Sequence, residues 1–239
     1  MSMRYKGGVI SATAPVTSAS AATGVWTLQQ QLQALSAGNW PPLFIGAAFG
    51  GGYFAGQIST AGNGVADYNL VVGPVASAEN ASKQWKTTDT TTAGTTSVIN
   101  GPANSSTMNN ASHPAAQFCE GLTIGGFSDW YMPAKNELDV CYYNLKPTTA
   151  SNTDAGGTGI NANAVPARAS AYTAGTPAQT SATDFKSTGA EDFSTASSYW
   201  SSTEASSTRG WDQYFSDGYQ HNANKSNSIR VRAIRRVAV

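Results

Sequence analysis

The sequence predicts an α+β fold made of short strands, two helices and long ordered loops. Three observations predict it. Gly, Ser, Thr, Ala and Asn dominate stretches such as 87–97 and 150–159, a composition poor for helices and good for turns and ordered loops. Six Trp, ten Tyr and eight Phe supply enough burial to offset chain entropy, so the loops belong to a folded body. Two central segments carry helical periodicity, whereas the segments around them are short and broken by glycine.

In chain order, residues 4–25 alternate small, β-branched and polar types without a bulky periodic face, which predicts an extended arm ordered by a partner. A short helix follows over 27–38: Thr27 caps it, Leu28, Leu32 and Leu35 repeat at i, i+4, i+7, and Gly38 stops it. So narrow a leucine stripe is expected to dock on another chain or on the body. Residues 1–40 therefore read as an attachment and oligomerisation arm, and 41–239 as a binding domain. The body opens with three strands, "LFIGAAF", "YFAGQIS" and "YNLVVGP", then a polar loop region to about Ser112. "SHPAAQFCEGL" predicts a helix capped by Ser112 or His113, with Pro114 in its first turn and Phe118, Cys119 and Leu122 on one face. "PAKNELDVCYYNL" predicts another, with Leu138, Cys141, Tyr142 and Leu145 at i, i+3, i+4, i+7. A loop-rich insertion over 146–194 separates these helices from the strands "YWSST", "GWDQYF" and "IRVRAIRRV".

Period-two alternation in "GWDQYF" puts Trp211, Gln213 and Phe215 on one face and Asp212, Tyr214 and Ser216 on the other. In "IRVRA" it puts Ile229, Val231 and Ala233 inward, with Arg230 and Arg232 opposite. These two strands could pair as neighbours and hold the polar stretch 217–228 on display between them. Binding surfaces favour rigid amphipathic rings and adaptable hydrogen-bonding groups. Asp212, Tyr214, Ser216, Asp217, Tyr219, His221, Asn222, Asn224, Ser226 and Asn227 have that vocabulary. The other reading is a solvated loop whose tyrosines cover neighbouring strands. Loops 87–110 and 150–190 are expected to assist. After residue 208, Arg209, Lys225, Arg230, Arg232, Arg235 and Arg236 face only Asp212 and Asp217, a local excess of four positive charges suited to anionic glycans. Arg209 and Lys225 are the ligand candidates, while Arg230 and Arg232 are expected to bond loop backbones. Trp130 and Trp200 read as core rings with paired N–H groups, and Asp129 and Glu137 as capping or arginine-bound carboxylates.

Other classes find little support. With 12% charged residues and zero formal net charge, there is no uniform basic footprint for nucleic acid. No run of about 18 apolar residues suits a membrane span, and Met1–Ile10 lacks the features of a secretory signal. Cys119 and Cys141 fall at apolar helical positions and read as buried free thiols, not as a bridge or a zinc site. The Asn-x-Ser sequons at Asn80, Asn104, Asn110 and Asn224 are what chance gives in so Asn- and Ser-rich a chain. "GFSDW" lacks a Gly-x-Ser-x-Gly elbow, no phosphate loop or His-Glu-x-x-His occurs, and His113 and His221 are the only imidazoles. A glycosidase-type carboxylate pair stays open on sequence alone, but the expectation is a non-enzymatic protein without a cofactor.

"LTIGGFSDWYMPAKNEL" resembles the Gly-Gly…Asp-Trp…Pro…Glu-Leu signature of C-type-lectin-like domains found in phage fibres, bacterial collagen-like adhesins and prophage proteins. "YWSSTE", "RGWDQYFSDG" and "IRVRAIRR" resemble the second half of that domain, spaced as in the variable proteins of diversity-generating retroelements. "YKGGVISATAPVTSASAATGVWTLQQQLQALSAGNWP" is similar to a segment of phage tail-fibre proteins. The resemblance implies a C-type-lectin-like body that binds a host cell-surface receptor, glycan or protein, without chemistry. It implies an arm that attaches to virion tail proteins, a homotrimer and a place on the virion. Calcium is not expected, since no Glu-Pro-Asn style ligand set is present. The alternatives are a structural capsid, collar or tail protein using the same fold for attachment, or a retroelement-diversified variable binder.

Overall fold

The structure, a computed structural model, describes residues 43–239 together with Val16–Thr17, Ala22–Thr23 and Gln29. The chain divides into two units, Met1–Phe44 and Ile45–Val239. In the first, β1 (Val16–Thr17) pairs antiparallel with β2 (Ala22–Thr23), and Gln29 is helical and exposed. Leu28, Leu32 and Leu35 lie outside the described residues.

The second unit is a mixed helix-and-strand body built on two sheets. One contains β3 (Ala48–Phe49), β4 (Gly52–Ile58), β5 (Tyr68–Val72) and β12 (Ile234–Ala238) in the order β12-β5-β4-β3, with β7 (Ala164–Val165) also paired to β4. The other contains β6 (Glu79–Gln84), β8 (Ser198–Glu204), β9 (Arg209–Tyr214), β10 (Gln220–Asn224) and β11 (Ser228–Arg232) in the order β10-β9-β8-β11-β6. All its pairs are antiparallel except β8–β11. The helices are α1 (Val75–Ala78), α2 (Gly101–Thr107), α3 (Pro114–Glu120) and α4 (Lys135–Leu145).

Both periodic segments are helical, as their spacing predicts. Leu138, Cys141, Tyr142 and Leu145 of α4 are buried against the β4–β5 sheet and an aromatic group. In that group Phe193 stacks on Phe215 with centroids 3.9 Å apart, and Tyr142 and Tyr199 meet Phe215 at 5.5 and 5.2 Å. Glu137 reaches back to the start of its helix, accepting from the Ala134 N–H at 2.7 Å and the Tyr131 hydroxyl at 2.5 Å. A second cluster surrounds Trp85, Trp130 and Trp200 and includes Cys119. Trp130 donates to the Phe127 carbonyl at 3.1 Å and Trp200 to that of Lys83 at 2.9 Å, so both are core rings with paired N–H groups. The two thiols are free and buried.

Three expectations are corrected. First, the polar region before Ser112 is not all loop, because it contains β6 and α2. Helix α2 has no apolar stripe. It is held by Asn104 donating to the Ser97 carbonyl at 2.7 Å, by Ser105 accepting from the Met132 N–H at 3.0 Å, and by Gly101, where any Cβ would collide with Glu137. Second, the "GWDQYF" and "IRVRA" strands are not neighbours, since β8 lies between β9 and β11. Third, "IRVRAIRRV" is two strands on different sheets. They divide at Ala233, whose N–H donates to Ala78 and whose carbonyl accepts from Gly73. That break sends its arginines to separate carboxylates: Arg230 to Glu79, Arg232 to Glu191, Arg235 to Asp129 and Arg236 to Glu137.

Candidate functional site

The stretch expected to be a displayed loop is itself structured. β9 and β10 form a hairpin at the edge of their sheet, registering Asp212 with His221, Trp211 with Asn222 and Arg209 with Asn224. The tip turns over 215–218. The Tyr214 N–H donates to the Tyr219 carbonyl and the Gly218 N–H to the Tyr214 carbonyl. Gly218 sits at φ +80°, and any Cβ there would strike the Tyr142 ring, so this turn requires glycine. Asp217 closes the tip by accepting from the Tyr219 N–H at 3.1 Å.

Because partners across a hairpin share a face, the predicted site residues separate. On one face Tyr214, Tyr219 and His221 gather, with ring centroids 6.1 Å (Tyr214–His221) and 5.9 Å (Tyr219–His221) apart. Asp212 lies on that face but is buried, 3.1 Å from His221 Nδ1, and burial pushes its carboxyl up against the hydrogen bonds from Ser198 and His221. Asp212 orients the imidazole from below and is not itself a surface contact. On the opposite face are Arg209, Asn222 and Asn224. Arg209 is exposed and donates to the carbonyl and side-chain oxygens of Asn222 at 3.0 and 3.2 Å. Ser216 and Asp217 occupy the half-buried tip.

Lys225 is a correction. It is fully buried, donating to Glu204 Oε1 at 2.6 Å and to the Thr90 and Ser207 carbonyls at 2.9 and 3.0 Å. The local excess of positive charge is also a correction. The carboxylates that answer Arg230, Arg232, Arg235, Arg236 and Lys225 all come from before residue 209. Among the described ion pairs Arg209 alone of that set has no carboxylate. Arg232 bonds the Gly73 and Glu191 carbonyls, in keeping with a backbone-holding role.

Both loop regions expected to assist do meet the hairpin, at opposite ends. At the base, Ser226 donates through its N–H and hydroxyl to Asp89 at 2.9 and 3.0 Å, and Glu204 accepts from the Thr92 N–H. At the tip, Thr153 N–H donates to the Asp217 carbonyl at 3.0 Å. Trp211, which alternation places on one face with Gln213 and Phe215, is half-buried, with Lys135 Nζ 4.2 Å from its ring centroid. Sequence reasoning missed Lys135 and Asp89 as parts of this surface; only the packing of α4 and of the 87–95 loop brings them there.

His113 occupies the N-cap position of α3, yet its side chain caps nothing. Its ring nitrogens are 2.9 Å from Thr92 Oγ1 and 2.9 Å from Asn110 Oδ1. Burial, then the positive charges of Lys86 and Lys225, lower its pKa to about 4, against a smaller opposing effect of Glu204. The neutral ring is therefore favoured in the folded state, while the unfolded chain titrates near 6.5. Stability is complete above that pH and is lost as pH falls from about 6.5 towards 4, by about 1–3 kcal/mol after solvent screening. Calorimetric melts of wild type and His113→Gln across this range should diverge, wild type losing stability the faster. Parallel curves would refute the assignment.

Residues 79–235 match the family of the Lcl C-terminal domain. A fimbrial protein from Bacteroides ovatus has a solved structure similar at TM-score 0.41 and 13% identity over 70% of this chain. The chain spans 35% of that protein's length. No curated protein matches the chain. The family match covers well over half of the sequence and takes in the Gly-Gly…Asp-Trp segment, the hairpin and Arg230, Arg232 and Arg235: the chain belongs to the Lcl C-terminal domain family.

Proposed function

We propose that this chain is a non-enzymatic receptor-binding protein of the phage tail-fibre type, whose C-type-lectin-like body binds a host-surface glycan or protein. The observation that carries the reading is the cluster of Tyr214, Tyr219 and His221, each half-buried, on one face of an edge hairpin. These rings offer apolar faces and hydrogen-bonding tips at little entropic cost, because the hairpin tip is anchored through Phe215 and His221 through Asp212. Membership of the Lcl C-terminal domain family supports a binding role of adhesin type. Ser216 and Asp217 border the rings at the tip, and Arg209, Asn222 and Asn224 extend the surface round the edge. The N-terminal arm attaches to virion tail proteins and joins three copies, whose combined avidity compensates for weak single contacts.

The test is adsorption of purified protein to a panel of bacterial cells, wild type against a Tyr214/Tyr219/His221→Ala triple variant of matched melting temperature. Wild type is expected to bind at least one strain, and the variant to lose at least tenfold in affinity, about 1.4 kcal/mol. Equal binding by both would remove the hairpin face from the reading. Adsorption of neither would favour attachment to other virion proteins.

A further inference from the structure

β12 lies at the end of the order β12-β5-β4-β3, so one of its edges has no neighbouring strand. Successive residues of a strand turn their N–H and C=O groups to alternate sides. On the β5 side, the Ala233 carbonyl accepts from the Gly73 N–H and the Val239 N–H donates to the Asp67 carbonyl, so the odd-numbered residues bond inward. On the other side Ile234 exchanges two bonds with Tyr131, at 2.8 and 3.0 Å, so the even-numbered residues point outward. Arg236 and Ala238 therefore direct their N–H and C=O groups away from the sheet. None of these groups has a hydrogen-bond partner among the described residues. The Tyr131 segment fills the first rung of an antiparallel ladder and then leaves it, Trp130 donating to the Phe127 carbonyl and Asp129 accepting from the Arg235 side chain. The open rungs adjoin a groove of about 360 Å³ lined by Tyr68, Asn100, Pro102, Asp129, Tyr131 and Arg236.

Strand edges are commonly blunted by charged side chains or covering segments. β10, at the edge of the other sheet, is treated so: Arg209 donates to the Asn222 carbonyl, and the Gln220 N–H donates to Thr158 Oγ1. At β12 the two arginines that could do the same are drawn elsewhere, Arg235 to Asp129 and Arg236 to Glu137 and the Ile99 carbonyl. The bare groups match the main chain of an extended peptide, which offers an N–H and a C=O to every second residue of its neighbour. Charge selects among such peptides. The side chains of Arg235, Arg236 and Glu137 are at most 11% exposed, whereas that of Asp129 is 56% exposed, so the charge the groove shows to solvent is a carboxylate. Arg235 takes one bond to each Asp129 oxygen and leaves their other acceptor sites to solvent. We infer that the β12 edge binds an extended segment of another polypeptide as an added antiparallel strand, its main chain bonding Arg236 and Ala238 and a Lys or Arg side chain reaching Asp129. The site lies outside the hairpin and does not rest on the reading given for it.

Amide hydrogen exchange on the full chain, read by NMR, tests this. In the free protein the Arg236 and Ala238 amides are expected to exchange roughly tenfold or more faster than those of Arg235 and Val237, which bond β5. The capped peptide Ac-VKVKV-NH2 should slow them to a similar degree. Its acidic counterpart Ac-VEVEV-NH2 should bind more weakly, and the basic peptide N-methylated at its valines should give no protection. Ala238→Pro removes one outward N–H without breaking a bond to β5, and should weaken the basic peptide about fivefold, near the worth of one main-chain bond. Asp129→Asn should erase the preference for the basic peptide over the acidic one; both positions are exposed, so neither substitution disturbs the core. Failure of the basic peptide to bind overturns the inference. So does equal binding of the N-methylated or acidic peptide, or unchanged affinity in Ala238→Pro. Arg236 and Ala238 amides already protected in the free protein would overturn it too: protection independent of concentration means a covered edge, and protection that rises with protein concentration seats a second copy there. Cell adsorption that depends on the hairpin would stand or fall independently.

Discussion

Arg232→Ala is expected to cost about 3–5 kcal/mol of stability, a fall in Tm of roughly 6–20 °C for a body of this size. Arg232 is fully buried, and its guanidinium makes three bonds to two distant parts of the chain, around Gly73 and Glu191. Nη2 donates to Glu191 Oε2 at 2.7 Å, Nη1 to the Glu191 carbonyl at 3.0 Å and Nε to the Gly73 carbonyl at 2.9 Å. Its cationic carbon also lies 4.6 Å from the centroid of Phe193, within the aromatic group that anchors the hairpin. The expected cost comes less from the lost attraction than from what remains: Glu191, largely buried, would lose the cation that answers its charge. Glu191 would still accept from the Val75 N–H at 2.8 Å, so the carboxylate cannot simply swing into water without releasing that turn. An Arg232→Met/Glu191→Gln double variant removes both charges and should recover part of the loss. Chemical denaturation of wild type, Arg232→Met, Glu191→Gln and the double variant measures the coupling; a double variant no more stable than Arg232→Met would argue against a charge-pairing origin.

Lys225→Ala comes next, at about 3 kcal/mol, for the same physical reason in a different place. The Lys225 ammonium group joins three loops, 87–95, 205–208 and 225–227, and packs 4.7 Å from the centroid of the Trp85 ring. Burial lowers its pKa, against the bond and charge of Glu204, so the pair persists only because the geometry is good. Without Lys225, Glu204 retains the Thr92 and Thr95 donors but has no cation. Hydrogen exchange should therefore quicken at the amides of Thr92, Glu204 and Lys225 more than at the tip amides of Tyr214 and Gly218. Arg209→Ala, on the neighbouring strand opposite Asn224 but exposed, should change stability by less than about 0.5 kcal/mol. Equal effects of the two substitutions would contradict the burial that separates them.

Much of the body was legible because apolar spacing specified it. The seam of α4, the strands around glycines 52–73, the core roles of Trp130 and Trp200 and the inert thiols all follow from side-chain type and period. Helix α2 and strand β6 were not legible for the converse reason. Their sequences, "GPANSST" and "ENASKQ", bury little apolar mass and are held by hydrogen bonds to residues far along the chain, such as Met132 and Ser226. Periodicity cannot report an element whose partners are polar and distant.

The surface divides in the same way. Its residue vocabulary, its position between Trp211 and Ile229 and the alternation of faces along β9 were determined by the sequence. Tertiary structure alone decided that the stretch is a hairpin at a sheet edge, that Tyr214, Tyr219 and His221 meet while Arg209, Asn222 and Asn224 face away, and that Lys225 is interior. It also decided that the C-terminal arginines carry no free charge, since their carboxylates arrive from Glu79, Asp129, Glu137 and Glu191. Local sequence sets which way a side chain points along its own strand. Which strand lies alongside, and which distant carboxylate answers a buried cation, is set by the packing of the whole chain, where each burial must satisfy every polar group it removes from water.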